Sequence, residues 1–251
     1  MPQLQNDYGA FSDDGKEYVI ERPDTPMPWI NVISNGDYGL TISQAGSGYS
    51  WRTHASLNRI TRWEQDLIRD EWGKYLYLRD ADSGEFWSLA HQPCGDHDAY
   101  RVRHGMGYSA IEARRGAIDS QVIYTVPPDD PCELWIVHLR NDGDTPRRLQ
   151  LFSYFEWNLG AAPDWHREFH RIFIDTSYDE AAGVLLATKL LWDIPGETGA
   201  HWNREWPYVA FHSASLRPAG FDADKRAFLG RHGRLASPQA LRDGRSWQTA
   251  G

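Results

Sequence analysis

Glycine and proline interrupt this sequence so often that it shows no long amphipathic helix. The 251 residues include 22 Gly and 14 Pro, and few windows keep apolar residues at the i, i+3, i+4 and i+7 positions of a helix. Short stretches of alternating apolar and polar residues fit between these breaks. The pattern predicts an all-β fold of antiparallel strands.

The clearest strand pattern lies in the middle of the chain. Residues 109–115 and 117–126 alternate on either side of Gly116 and predict a hairpin. Residues 132–140 form a β-rich run, and residues 147–157 are predicted to return as its partner strand after a glycine-containing turn. Further short strands are predicted at 100–104, 169–175 and 208–213. Because no repeat or linker breaks this series, one β domain is the simplest account.

The overall charge and the aromatic content exclude several classes of protein. Asp plus Glu number 35 and Lys plus Arg number 26, which gives a formal net charge of −9. Nucleic acids and anionic membranes bind basic surfaces, so neither is an expected partner. The 12 Trp, 12 Tyr and 9 Phe supply enough apolar surface for a core, which excludes a disordered chain.

Cysteine usage and the first residues indicate a cytoplasmic protein. The two cysteines, Cys94 and Cys132, are too few for a secreted domain stapled by disulfides. The opening residues MPQLQNDYGAFSDDG lack the basic and apolar regions of a signal peptide. No stretch approaches about 18 uninterrupted apolar residues, so no membrane span is expected.

Aromatic and polar residues occur together in glycine-rich loops. One such loop covers residues 44–52, and others lie at 58–63, 104–109 and 164–168. An aromatic ring can stack on the flat apolar face of a sugar while Arg, Asn, Gln or Asp side chains bind its hydroxyl groups. These loops therefore suggest a carbohydrate-facing surface. The alternative is that the rings fill the core and seal the sheet edges.

Other kinds of site receive little support. The glycine-rich runs are not followed by the Gly-Lys-Ser/Thr of a phosphate-binding loop. His91, Cys94 and His97 have ligand-like spacing but lack further ligands, and residues 166–170 do not match a zinc protease motif, so no metal site is expected. No serine hydrolase motif is present. Acid–base catalysis by a pair of carboxylates stays open. The distance between the two carboxyl groups decides this chemistry, and the sequence does not show that distance.

An ordered set of motifs runs along the chain from residue 8 to residue 156. The set comprises YGAFSD (8–13), EYVI (17–20), TPMPWIN (25–31), QAGSGYS (44–50), RITR (59–62), GKYLY (73–77), RHGMGYS (103–109) and LFSYFE (151–156). With these motifs in this order and spacing, the chain resembles, from about residue 8 to about residue 230, the N-terminal β domain of the cellobiose phosphorylase-like glycoside phosphorylases. These enzymes form glycoside hydrolase family 94, formerly glycosyltransferase family 36.

The resemblance implies a particular architecture. Residues 1–230 are expected to form an antiparallel β-supersandwich of the galactose-mutarotase-like type that lacks its last strands. Residues 231–251, rich in Arg, Gly and Ser, are expected to be a weakly patterned tail or a truncated segment. The catalytic (α/α)6 barrel that follows this domain in the family is expected to be absent from the chain.

The resemblance also implies a function. Enzymes of the family invert: a general acid protonates the glycosidic oxygen while inorganic phosphate attacks from the opposite face. The chain then corresponds to the carbohydrate-binding and dimerisation domain of an inverting β-glucoside (oligosaccharide) phosphorylase, a glycosyltransferase acting on hexosyl groups. Because the general acid belongs to the barrel, the chain alone is expected to be inactive and to hold no catalytic residue.

Partners follow from the same resemblance. We expect an oligosaccharide ligand, inorganic phosphate as co-substrate and no cofactor. We also expect either a second copy in a homodimer or a complementary catalytic-barrel chain. Two other functions stay open: a free-standing β-glucan-binding module, which the aromatic loops favour, and a catalytically inert fragment.

The resemblance assigns substrate-binding residues to two loops near the acceptor sugar. These residues are Trp165, His166, Arg167, Tyr49, Trp51 and Arg52. Arg167 is the leading candidate, because a guanidinium can hold two sugar oxygens at once. The alternative for Arg167 is an ion pair with Glu168 or with an acidic partner residue.

Overall fold

The computed structural model describes residues 5–161, 171–190 and 206–249. Most of the regular structure in these ranges is strand. In chain order the strands are β1 (Gln5–Asn6), β2 (Gly9–Phe11), β3 (Glu17–Ile20), β4 (Ile30–Ser34), β5 (Tyr38–Ser43), β6 (Ser50–Arg52), β7 (Arg59–Thr61), β8 (Tyr75–Asp80), β9 (Phe86–Ser88), β10 (Ala99–Gly105), β11 (Tyr108–Arg115), β12 (Ile118–Thr125), β13 (Leu134–Asn141), β14 (Leu149–Tyr154), β15 (Trp157–Gly160), β16 (Ile174–Asp179), β17 (Val184–Lys189) and β18 (Trp206–Ser213). The helices are a 3-10 turn at Arg171–Phe173, α1 (Lys225–Leu229) and α2 (Gln239–Asp243).

Within the described ranges the strands form four antiparallel sheets, which confirms the predicted all-β fold. The largest sheet has seven strands in the order β1-β2-β3-β10-β11-β12-β13. A five-stranded sheet has the order β15-β7-β6-β5-β4. The two three-stranded sheets are β14-β8-β9 and β16-β17-β18. Among the described residues, no helix has the length and apolar character needed to cross a membrane.

One buried cluster joins side chains from all four sheets. Leu40 of β5, Leu78 of β8 and Val102 of β10 have no exposed surface, and Ala187 and Ala210 bring β17 and β18 to the same core. The period-2 alternation is clearest in β12, where every second side chain, from Ile118 to Tyr124, is buried. The intervening side chains of this strand therefore face the outside of its sheet.

The structure separates two stretches that the sequence predicts to pair. β13 pairs with β12, whereas β14 pairs with β8 in a different sheet. Arg147 and Arg148, just before β14, form ion pairs with Asp80 and Asp82 at the end of β8. The turn after β13 thus carries the chain from one sheet to another, and the predicted hairpin is wrong. Alternation alone does not specify which strand becomes the neighbour.

The C-terminal segment packs on the outer side of β8 and β14. The Tyr77 hydroxyl donates to the carbonyl oxygen of Leu235 at 2.9 Å, and Arg79 Nε donates to that of Leu241 at 2.7 Å. Up to residue 249, a segment with only a weak sequence pattern therefore belongs to the packed molecule. The buried members of this second cluster are Tyr75, Tyr77, Tyr154, Phe228, Leu229, Ala240 and Leu241.

Candidate functional site

The outer face of the five-stranded sheet carries aromatic rings. In β5, Tyr38, Leu40 and Ile42 point into the core, so Gly39 faces outward. Gly39 pairs with Trp51 in β6. The Trp51 ring lies so close that a Cβ at position 39 would be 2.4 Å from its Cζ2 atom. Position 39 therefore requires glycine for the Trp51 ring to pack against the sheet.

Tyr49, Trp63 and Arg59 lie beside Trp51 on this face. The ring centroids of Tyr49 and Trp51 are 5.4 Å apart, and those of Tyr49 and Trp63 are 5.2 Å apart. Arg59 in β7 pairs with Trp51, and its Cζ atom lies 4.1 Å from the Tyr49 centroid and 5.8 Å from that of Trp63. All four residues are half-buried. We call Tyr49, Trp51, Arg59 and Trp63 the outer aromatic cluster.

Trp63 is anchored to the glycine-rich loop. Its Nε1 donates to the Ser47 hydroxyl at 3.3 Å, and that hydroxyl donates to the carbonyl oxygen of Trp72 at 2.5 Å. Gly48 in the same loop has a φ of +146° and lies against the backbone of Thr41, where a Cβ would be 2.0 Å from the carbonyl oxygen. The glycines of this loop therefore let it close tightly on β5, which places Tyr49 over the sheet.

Arg52 is turned away from the outer aromatic cluster. Alternation along β6 puts it on the opposite side of the strand from Trp51. Its Nε lies 3.1 Å from Asp37 Oδ2, and its Cζ lies 5.0 Å from the ring centroid of Tyr208. Of the predicted site residues, the structure thus brings Tyr49 and Trp51 together and separates Arg52 from them.

Arg59, Trp63 and Trp206 are missing from the predicted site. Arg59 begins the RITR motif and Trp63 directly follows it. Their period-2 spacing through Thr61 is the signal that would place them on one face. Trp206 Nε1 donates to Asn58 Oδ1 at 2.7 Å. No local pattern links these two positions, so only the fold brings them together.

Trp165, His166 and Arg167 lie outside the described residues. The preceding strand, β15, ends at Gly160, which is opposite Arg59 in β7. The described part of the chain thus stops beside the outer aromatic cluster. The assignment of these three residues to the substrate stays a prediction.

A second group of polar side chains lies in the interior. Lys74 Nζ donates to Glu133 Oε2 at 2.5 Å and to the Ser50 hydroxyl at 2.6 Å. The Lys74 side chain is 1% exposed and that of Glu133 is 10% exposed. Burial lowers the pKa of Lys74, and the adjacent Glu133 carboxylate opposes this shift. Because Lys74 is buried and bonded to both Glu133 and Ser50, we interpret this group as structural.

The histidines with ligand-like spacing are used in packing. His97 Nε2 shares a hydrogen bond with the carbonyl oxygen of Ser88 at 2.9 Å, and its ring stacks on Tyr100. His91 packs against the same tyrosine with its ring centroid at 6.1 Å. Burial lowers the pKa of both histidines. In the described ranges, no group of three His, Cys, Asp or Glu side chains is placed to hold a metal ion.

Two concave surfaces lie away from the outer aromatic cluster. A cavity of about 390 Å³ is lined by residues that include Trp87, Arg115 and Arg147. A groove of about 680 Å³ crosses β10 to β13. Arg147 is paired with Asp80, and Arg115 lies 5.2 Å from the Trp87 centroid. These charged and aromatic groups therefore already interact with neighbouring protein side chains.

Comparison with known proteins identifies the family to which this fold belongs. The family described as glycosyl hydrolase 94, supersandwich domain, matches residues 16–251. The chain belongs to this family. The predicted β-supersandwich is thereby confirmed, and the match extends beyond residue 230, where the sequence resemblance ends.

The relatives of this supersandwich domain are much longer proteins. The N,N'-diacetylchitobiose phosphorylase of Vibrio furnissii is 31% identical over 250 residues, which cover 97% of this chain and 30% of that protein. The cyclic beta-(1,2)-glucan synthase NdvB of Rhizobium meliloti (strain 1021) is 31% identical over 247 residues, 95% of this chain and 8% of that protein. The solabiose phosphorylase of Paenibacillus borealis is 30% identical over 238 residues, 93% of this chain and 29% of that protein. The chain thus spans less than a third of the length of these relatives.

Proposed function

We propose that this chain is the N-terminal domain of an inverting oligosaccharide phosphorylase, which transfers a β-linked hexosyl group to inorganic phosphate. The family match over residues 16–251 carries the proposal. The chitobiose and solabiose phosphorylases among its relatives support the reaction class. In such an enzyme the general acid and the phosphate ligands belong to the catalytic barrel. This domain then contributes binding surface and no catalytic residue, and the reaction needs no cofactor.

The outer aromatic cluster supports a role in holding sugar at the mouth of the catalytic site. Tyr49 and Trp51 present neighbouring rings on which a pyranose face can stack. Arg52 contacts Asp37 and Tyr208 instead of these rings. Further substrate-binding residues in this proposal are Arg52, Trp165, His166 and Arg167, with Arg167 as the leading candidate. The assembly is a homodimer, or a pair with a complementary barrel chain, in the cytoplasm.

The decisive experiment combines the chain with a catalytic-barrel polypeptide of the family. β-Linked disaccharides and inorganic phosphate are supplied, and sugar 1-phosphate is followed by NMR. We expect product only when both polypeptides and phosphate are present, and we expect the α anomer because the reaction inverts. A pair that co-purifies yet forms no sugar 1-phosphate would contradict the proposal.

A free-standing β-glucan-binding module is the second candidate, and the outer aromatic cluster favours it. Calorimetry of the chain alone with gluco-oligosaccharides tests this function. Binding that is lost in Trp51→Ala supports it, and a flat titration at millimolar sugar removes it. A chain that neither binds sugar nor supports phosphorolysis would be an inert fragment.

A further inference from the structure

Among the described residues, the hydrogen bonds of the Arg59 guanidinium go to backbone carbonyl oxygens. Its Nε donates to the carbonyl oxygen of Ala55 at 3.4 Å, and its Nη1 donates to that of Trp63 at 3.1 Å. Its Nη2 donates to no residue in the described part of the chain. Arg59 is half-buried and not sealed in the core, so Nη2 can donate to a ligand.

Two other half-buried arginines, Arg62 and Arg103, are neutralised by carboxylates. Arg62 lies 3.1 Å from Glu156, and Arg103 lies 2.7 Å from Glu17 and 2.9 Å from Glu112. Arg79 is also half-buried, but its guanidinium donates to the Leu241 carbonyl oxygen and to Gln150 Oε1. Arg59 differs from Arg62 and Arg103, because within the described ranges it has no ion pair.

The Arg59 guanidinium is held in place and partly stripped of water. It lies over the Tyr49 ring, and its backbone is fixed between Trp51 and Gly160 of the adjacent strands. Burial lowers the pKa of Arg59, which indicates that its charge has lost hydration. Glu64 acts on this charge from nearby, but its Oε1 is 3.3 Å from Arg62. A pre-positioned, half-desolvated guanidinium binds an anion more strongly than a fully hydrated one.

We propose that Arg59 is an anion-binding residue and that the outer aromatic cluster takes an acidic sugar whose carboxylate or phosphate group contacts Arg59. The sugar ring packs on the aromatic rings, while Nη2 donates to the anionic oxygens. A neutral sugar can stack on the aromatic rings, but it offers no negative charge to the Arg59 guanidinium. This inference rests on the proposed function, because it names the ligand class of the same surface.

Calorimetric titration of the full chain at low ionic strength tests the inference. The probes are glucuronate, glucose 1-phosphate, glucose and inorganic phosphate. We expect at least one acidic sugar to bind about tenfold or more tightly than glucose, since a charge-assisted hydrogen bond is gained. Which of the two binds more tightly identifies the anion. Equal affinities for glucose and both acidic sugars would overturn the inference, as would inorganic phosphate binding as tightly as the preferred acidic sugar.

Two variants connect the effect to Arg59. Arg59→Met is expected to abolish the preference for acidic sugars. Arg140→Met is the matched control, because Arg140 is 72% exposed and paired with Asp119 in another sheet. It should keep the preference in full. An Arg59→Met variant that melts like the wild type and still prefers acidic sugars would exclude Arg59.

A measurement on the wild-type chain avoids any dependence on how Arg59→Met folds. In chain labelled with 15N-arginine, the Arg59 Nε signal, assigned by its loss in Arg59→Lys, should shift with acidic sugars and not with glucose. An unmoved signal overturns the inference even if sugars bind elsewhere. The phosphorolysis assay is independent of these results, so failure of the acidic-ligand inference and failure of the proposed function are separately recognised.

Discussion

His104 illustrates how burial sets the chemistry of a single side chain. Its Nδ1 shares a hydrogen bond with the Ser109 hydroxyl at 2.9 Å, and its Nε2 does so with the carbonyl oxygen of Trp29 at 3.2 Å. Burial lowers the pKa of His104 from 6.5 to about 4. The neutral imidazole is therefore the form that the folded chain accommodates.

This shift predicts a loss of stability in acid. Between pH 6.5 and about 4, the unfolded chain binds a proton at His104 and the folded chain does not. The free energy of unfolding therefore falls as the pH is lowered through this window, by up to about 3 kcal/mol from this residue. Urea unfolding from pH 4 to 7 should show a shallower dependence in His104→Gln. His138→Gln, at an exposed position, is the control, and equal dependence in the two variants would refute the prediction.

Lys74 predicts a large cost for breaking a buried ion pair. Lys74→Met leaves the Glu133 carboxylate buried without its cation, so we expect a loss of about 3–5 kcal/mol in the free energy of unfolding. The double variant Lys74→Met/Glu133→Leu should recover most of this loss. The pair of Lys225 with Glu156 is the control, because Lys225 is 39% exposed. Lys225→Met should cost about 1 kcal/mol or less, and an equally small cost for Lys74→Met would contradict the prediction.

At the scale of elements, pairing position decides how much each strand contributes to stability. Leu78 in β8 and Leu151 in β14 are directly opposite each other. Leu78 has no exposed surface, whereas Leu151 is 48% exposed. The difference arises because β8 is the central strand of its sheet and β14 is an edge strand.

These two leucines form a matched pair for mutation. Leu78→Ala should lower the free energy of unfolding by about 2–5 kcal/mol, since it leaves a cavity in the core. Leu151→Ala should cost about 1 kcal/mol or less, because much of its side chain is already in water. Chemical denaturation of the two variants measures the difference. Similar costs would show that the inner side of β14 is as well packed as that of β8.

Element prediction from sequence succeeds where the signal is local. Residues 109–115 and 117–126 correspond closely to the hairpin strands Tyr108–Arg115 and Ile118–Thr125. A tight turn joins neighbours in sequence, so their pairing needs no information from elsewhere in the chain. β14 pairs instead with β8, about 70 residues upstream. The local alternation of apolar and polar residues does not specify such a distant partner strand.

At the scale of the whole molecule, the C-terminal segment covers one side of the sandwich. Leu241 is fully buried and belongs to a cluster with Tyr75, Tyr77 and Tyr154. The packing of this segment therefore shields aromatic side chains that β8 and β14 place on their outer faces. Burial of this kind needs contacts between the C-terminal segment and a strand 158 to 162 residues earlier in the sequence.

The covering role predicts that the C-terminal segment contributes to global stability. Leu241→Ala should lower the free energy of unfolding by about 2–5 kcal/mol, which corresponds to a fall in melting temperature of roughly 5–15 °C for a chain of this size. Leu216→Ala is the control, because Leu216 is 80% exposed. Calorimetry or circular dichroism measures the melting temperature. A Leu241→Ala variant that melts with the control would mean that the segment unfolds separately from the sheets.

The sequence by itself determined the all-β class, the hairpin of β11 and β12 and the family, because alternation, glycine breaks and motif order are all local along the chain. It also singled out Tyr49 and Trp51. The tertiary structure alone turned Arg52 away from them, and it placed Trp206 against Asn58, 148 residues distant. Contacts between residues so far apart in sequence depend on which sheets pack together. Burial of the whole core decides that packing.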